Sequence, residues 1–142
     1  MIADTIQKQI IEALKARDEI RLSTLRMLSS ALNYDRIAKQ HVLSTEEELA
    51  VVNKEAKKRR DAIEIYDKAG EAARSAKEKK ELAILKDYLP KELSGVELEE
   101  IVSSAVAESG GDFGRTMGLV MAKVKGRADG AKVAWVVKGK LG

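Results

Sequence analysis

Apolar residues recur every three to four positions along almost the whole chain, and a single proline, Pro90, interrupts them. That spacing lines one face of an α-helix at about 100° per residue, and no stretch alternates strictly enough for a strand. The expected fold is therefore all-α, with four helices in a domain covering residues 1–90 and a small three-helix bundle in 91–142. Charged residues make up 35% of the chain and aromatics only 4%, a balance that suits helices with long solvated faces. At 142 residues there is room for one ordinary domain or two small ones, which excludes a large multidomain enzyme.

Local signals place the helices. Ile2, Ile6, Ile10, Ala13 and Leu14 mark a first helix over about 3–16, and Asp18 caps a second whose stripe is Leu22, Leu25, Leu28 and Leu32. Ser44 and Glu47 form a capping-box pattern, and three consecutive glutamates favour the positive end of a third helix. That helix runs to Gly70, which fits the left-handed position after a helix end. A fourth covers about 71–88. Ser94 with Glu97 is a second box, flanked by Leu93 and Leu98 at staple spacing. Helix five ends at Gly110-Gly111. Helix six carries Phe113, Met117, Val120, Met121 and Val124, and helix seven carries Val133, Val136, Val137 and Leu141.

Several chemistries drop out. The chain has no cysteine, so disulfides, thiolate metal sites and a cysteine nucleophile are excluded, and the one histidine, His41, cannot make a two-histidine site. No phosphate-binding loop, nucleophile elbow or zinc-protease motif is present. His41 reads as a surface or capping residue. Glu55 with Arg59, Lys57 with Asp61 and Arg60 with Glu64 read as solvated helix pairs. No catalytic residue, metal or cofactor is expected. The N-terminus lacks an apolar signal core and the longest aliphatic and aromatic run, 133–137, is too short to cross a membrane, so a soluble cytoplasmic protein is expected.

The net charge of +3 conceals a sharp gradient. Residues 93–112 hold five acids and no base, and residues 113–142 hold seven bases and one acid, Asp129. On helix seven the aliphatic side leaves Trp135 opposite, between Lys132 and Lys138, where its ring either stacks on an unpaired base or packs on the N-terminal part. On helix six Gly114, Gly118 and Ala122 share an edge, which invites close approach by a neighbouring helix or by a phosphate backbone. Lys123, Lys125 and Arg127 precede a turn bracketed by Gly126 and Gly130. Its free backbone N–H groups suit a phosphate, whereas Asp129 as N-cap would occupy them and leave a plain capped turn. Arg115, Lys123, Lys125, Arg127, Lys132 and Lys138 are the candidate backbone contacts. Five such contacts would give a logarithmic salt slope of about −4.5 on duplex and about −3.5 on single strands.

Five stretches in order, Arg21-Leu-Ser-Thr-Leu-Arg-Met-Leu28, Lys57-Lys-Arg-Arg-Asp-Ala62, Tyr66-Asp-Lys-Ala-Gly70, Tyr88-Leu-Pro90 and Met121-Ala-Lys-Val-Lys-Gly-Arg-Ala-Asp-Gly130, make the chain similar to the YqeY-like family. That family shares its domain, the GatB/YqeY domain, with the tail of the GatB component of the tRNA-dependent Asp/Glu-tRNA amidotransferase. The resemblance implies an all-helical two-part fold and a tail that helps recognise tRNA. The glutaminase and transamidase machinery, which takes its nitrogen from glutamine, lies in other subunits or domains, so the resemblance implies no catalytic residue here. The expected function is a non-catalytic tRNA- or RNA-binding accessory domain acting through the basic C-terminal helices. The alternative is a helical protein-interaction or assembly module.

Overall fold

The computed structural model describes residues 1–142 and contains seven helices and no strand. They are α1 (Ile2–Lys15), α2 (Glu19–Lys39), α3 (Thr45–Lys68), α4 (Ala72–Lys86), α5 (Gly95–Ser109), α6 (Phe113–Val124) and α7 (Gly130–Leu141). The chain packs as two compact units, Met1–Leu89 and Pro90–Gly142.

Helix ends follow the caps. Asp18 accepts from the Arg21 N–H at the start of α2. At α3 both arms of the capping box form: Ser44 Oγ accepts from the Glu47 N–H, and the Glu47 carboxylate accepts from the Ser44 N–H. Gly70 takes a φ of +73° beyond α3. The second box closes differently. Ser94 Oγ accepts from the Glu97 N–H but donates to the Glu97 carboxylate, so that carboxylate meets the hydroxyl where a full box would use the Ser94 N–H.

The first unit buries Ile6, Leu28, Leu32, Leu43, Val52 and Leu85 in one cluster. Leu14, expected on the α1 stripe, is exposed instead, because the buried line runs through Ile6 and Ala13. No side chain caps α1 from Met1. The fully buried Glu48 supplies the acceptor from α3, taking hydrogen bonds from the Ile2 and Ala3 N–H groups at 3.0 and 2.7 Å. A carboxylate at that end also meets the positive pole of the helix dipole.

One expectation fails outright. Glu55 and Arg59 are not a solvated pair: Arg59 is buried at the α3–α4 contact, with Glu55 at 3.2 Å, Glu81 at 3.2 Å and Glu78 at 3.8 Å. Helical spacing reads the i, i+4 pairing correctly, but α4 then covers it with two more carboxylates. Burial and the neighbouring Glu81 push the Glu78 carboxyl above its ordinary range, against the opposing pull of Arg59. Lys57 with Asp61, at 3.1 Å, remains an exposed pair.

The second unit is built on Leu93, Leu98, Val102, Ala105, Val120, Val124, Val133 and Val137. Phe113 and Met121, expected on the α6 core stripe, are 40% and 39% exposed, and Thr116 is buried with Val120 and Val124. The Thr116 hydroxyl lies 2.6 Å from the Asp112 carbonyl, to which it donates, and 2.6 Å from the Ser109 hydroxyl, which also reaches the Val106 carbonyl at 3.2 Å. This polar knot ties the end of α5 to the start of α6. Burial is tolerated there because each hydroxyl finds a partner.

Candidate nucleic-acid interface

The candidate residues fall on α6, on α7 and on the turn between them, and the structure sorts them into three groups. On α7, Val133 and Val137 turn into the core, so Trp135 faces outward with 77% of its surface exposed. Lys132 and Lys138 flank it and are exposed. Lys138 leans towards α6, its Nζ 5.9 Å from the centre of the Phe113 ring. Glu99, Trp135, Val136, Gly139 and Lys140 line a shallow open groove beside this face.

On α6 the cations point elsewhere. Lys123 leans towards α5 and lies 3.8 Å from Glu108. Arg115 sits about 80° from Lys123 around the helix, on the side away from Phe113. Neither α6 cation lies on the Phe113 side of the helix, which Lys138 approaches. Between the two groups runs the outward edge of Gly114, Gly118 and Ala122. The expected close approach of a neighbouring helix is absent at Gly118, where an added Cβ would meet nothing within 4 Å, and at Gly114 it would meet only Asp112, at 3.7 Å.

The turn carries the third group. Lys125 and Gly126 are both left-handed, with φ of +46° and +78°, which reverses the chain after α6. Arg127 is engaged in holding the fold. Its Nε donates to the Lys91 carbonyl at 2.9 Å, its carbonyl accepts from the Leu93 N–H at 2.8 Å, and its guanidinium lies 3.7 Å from Glu97. These bonds stitch the α6–α7 turn to the stretch of chain that leads into α5. Asp129 is the N-cap of α7 but makes no side-chain cap hydrogen bond, so its carboxylate does not take the α7 N–H groups as the sequence suggested. Gly130, the first residue of α7, is half-buried.

With Arg127 committed, five of the six candidate cations remain exposed, Arg115, Lys123, Lys125, Lys132 and Lys138, and Lys140 on α7 is exposed beside them. Their chemistry is that of phosphate contacts without base readout, joined by one indole able to stack. His41 stands apart in the first unit, 2.9 Å from the Glu47 carboxylate that closes the α3 cap. The Ser44 N–H and His41 together hold that carboxyl down to about 2. No group of three or more histidine or acidic side chains is placed to hold a metal ion, and no helix is long and apolar enough to cross a membrane.

Comparison with known proteins gives two findings. A family model described as Yqey-like protein matches residues 3–141. A protein of Schizosaccharomyces pombe described as uncharacterised is 30% identical over 91 residues, which is 64% of this chain and 74% of that protein.

Proposed function

The chain belongs to the YqeY-like family, and from that premise we propose that it is a non-catalytic RNA-binding accessory protein whose RNA is tRNA. In this reading residues 91–142 are the RNA-binding domain, akin to the tail of the amidotransferase GatB component, and residues 1–90 are a four-helix domain that accompanies it. The observation that carries the reading is Trp135, 77% exposed between two lysines. An indole held outward on a helix offers a face on which an unpaired base can stack, and the flanking ammonium groups favour a polyanion as the partner. The five exposed candidate cations on α6, α7 and their turn, with the exposed Lys140 beside them, add sequence-independent attraction. The open edge at Gly118 leaves room for a sugar-phosphate backbone to approach α6. The reading places the protein in a cytoplasmic setting, where tRNA is abundant.

The test is tRNA binding by fluorescence anisotropy at several salt concentrations, for wild type and for Lys132→Glu with Trp135→Ala. Both positions are exposed, so the pair leaves the fold intact. The proposal expects binding at low salt, weakened at least tenfold by the pair. No binding at low salt, or binding indifferent to the pair, overturns it and favours a protein partner on the α7 face.

A further inference from the structure

A second surface lies in the first unit and takes no part in the proposed RNA contact. Between α2 and α3 runs an open groove of about 660 Å³. Its two walls are helical faces that pass in opposite directions, since Met27 meets Arg59 at one end and Lys39 meets Glu47 at the other. The α2 wall presents Met27, Ala31 and Tyr34, the i, i+4, i+7 positions of one stripe. Met27 is 47% exposed and Tyr34 is 78% exposed. Val51 continues the apolar floor from α3.

The charges around this seam are not balanced. The two acids in the groove are already neutralised from within the fold: Asp35 by Lys39 at 2.8 Å, and Glu55 by Arg59. Arg26 and Lys54 have no acidic partner, and Lys58 lies only 3.5 Å from the occupied Glu55. The groove is thus an apolar seam about two helical turns long with positive flanks.

We propose that the α2–α3 groove is a docking site for an acidic amphipathic helix of a partner protein. Of the ways a chain can be gripped, adding a strand needs a sheet edge, and this all-helical unit has none. A polyproline ligand needs an aromatic-lined groove, and only Tyr34 supplies a ring. A helix fits, because anchors one turn apart meet the Met27–Ala31–Tyr34 stripe while glutamates or aspartates on its flanks meet Arg26 and Lys54. A single nucleic-acid strand suits the groove less well, since stacking needs successive rings and the floor is aliphatic.

The experiment titrates the full chain with a synthetic helical peptide carrying leucines on one face and glutamates on both flanks. Its controls are the same peptide with lysines for the glutamates, and a single-stranded RNA oligonucleotide. Backbone NMR shifts report where each one binds. The proposal expects the acidic peptide to move Met27, Ala31, Tyr34 and Lys54, and the lysine version to leave them unmoved. Arg26→Glu with Lys54→Glu, two changes that break no internal pair, is expected to weaken acidic-peptide binding about tenfold. Ala31→Glu is expected to abolish it. The proposal is overturned if the oligonucleotide moves these residues and the peptide does not, if both peptides bind alike, or if sedimentation shows the face buried against a second copy of the chain.

Discussion

Replacing Arg59 by methionine separates charge from volume at the centre of the first unit. Methionine fills most of the aliphatic space, so what disappears is the guanidinium. The Arg59 side chain is 7% exposed, and its partners Glu55 and Glu81 are 10% and 8% exposed. Removing the cation strands two carboxylates in a poorly solvated contact, with Glu78 close by, a change that costs about 3–5 kcal/mol in comparable buried pairs. For a cooperative unit of this size each kcal/mol moves the melting midpoint by roughly 4–8 °C, so the fall at pH 7 is at least about 12 °C. The pH dependence follows from the same charges. A carboxyl whose folded pKa is raised contributes stability that is complete below its unfolded value near 4.5 and is lost as pH rises through the folded value. Losing the opposing pull of Arg59 raises the Glu78 carboxyl further, so the Arg59→Met deficit shrinks on acidification and grows towards neutrality. Adding Glu55→Gln and Glu81→Gln to Arg59→Met restores most of the lost stability, because the stranded charges go with the cation. Urea titrations followed by circular dichroism at several pH values measure all of this. A loss below about 1 kcal/mol at pH 7, the size expected of a solvated pair, or a deficit independent of pH, refutes the reasoning.

Three further outcomes follow from other sites. Glu47 titrates at about 2 in the folded protein, so its contribution to stability is present above about 4.5 and fades as pH falls towards 2; carboxyl carbon NMR locates the midpoint, and a midpoint near 4.5 contradicts the cap geometry. Arg127→Ala loses the hydrogen bond to the Lys91 carbonyl and destabilises the second unit by about 1 kcal/mol, whereas Lys132→Ala changes stability by less than about 0.5 kcal/mol; denaturant midpoints compare the two. Gly118→Ala, on an open helical edge, stabilises the free protein by roughly 0.5–1 kcal/mol and weakens tRNA binding if the backbone seats there; melting and binding on the same sample separate the effects.

What the sequence reveals depends on whether local spacing decides the outcome. Helix number and most ends are legible because Asp18, Ser44 and Gly70 act within a few residues of themselves. Trp135 is legible as an outward residue for the same reason, since Val133 and Val137 fix the phase of α7. Tertiary partners are not legible. Arg59 belongs to a common i, i+4 pair until α4 brings Glu78 and Glu81 over it, and no spacing within α3 announces that. Arg127 reads as a free cation until the turn folds back to the Lys91 carbonyl, 36 residues away in sequence. Gly118 suggests close helix packing, and the edge it lies on turns out to be open. Phe113 and Met121 fit the α6 stripe, yet they stay 40% and 39% exposed while Thr116 goes fully inside with Val120 and Val124, its hydroxyl met by Ser109.

Trp135 is the only tryptophan, so its fluorescence reports directly on the face proposed to bind RNA. The decisive measurement is a tRNA titration followed by that emission at a series of salt concentrations. Stacking on the indole with five cations on phosphates predicts saturable quenching at low salt, protection from iodide, and a slope of log K against log salt between about −3.5 and −4.5. Emission unchanged by tRNA at low salt, with iodide access undiminished, contradicts the account.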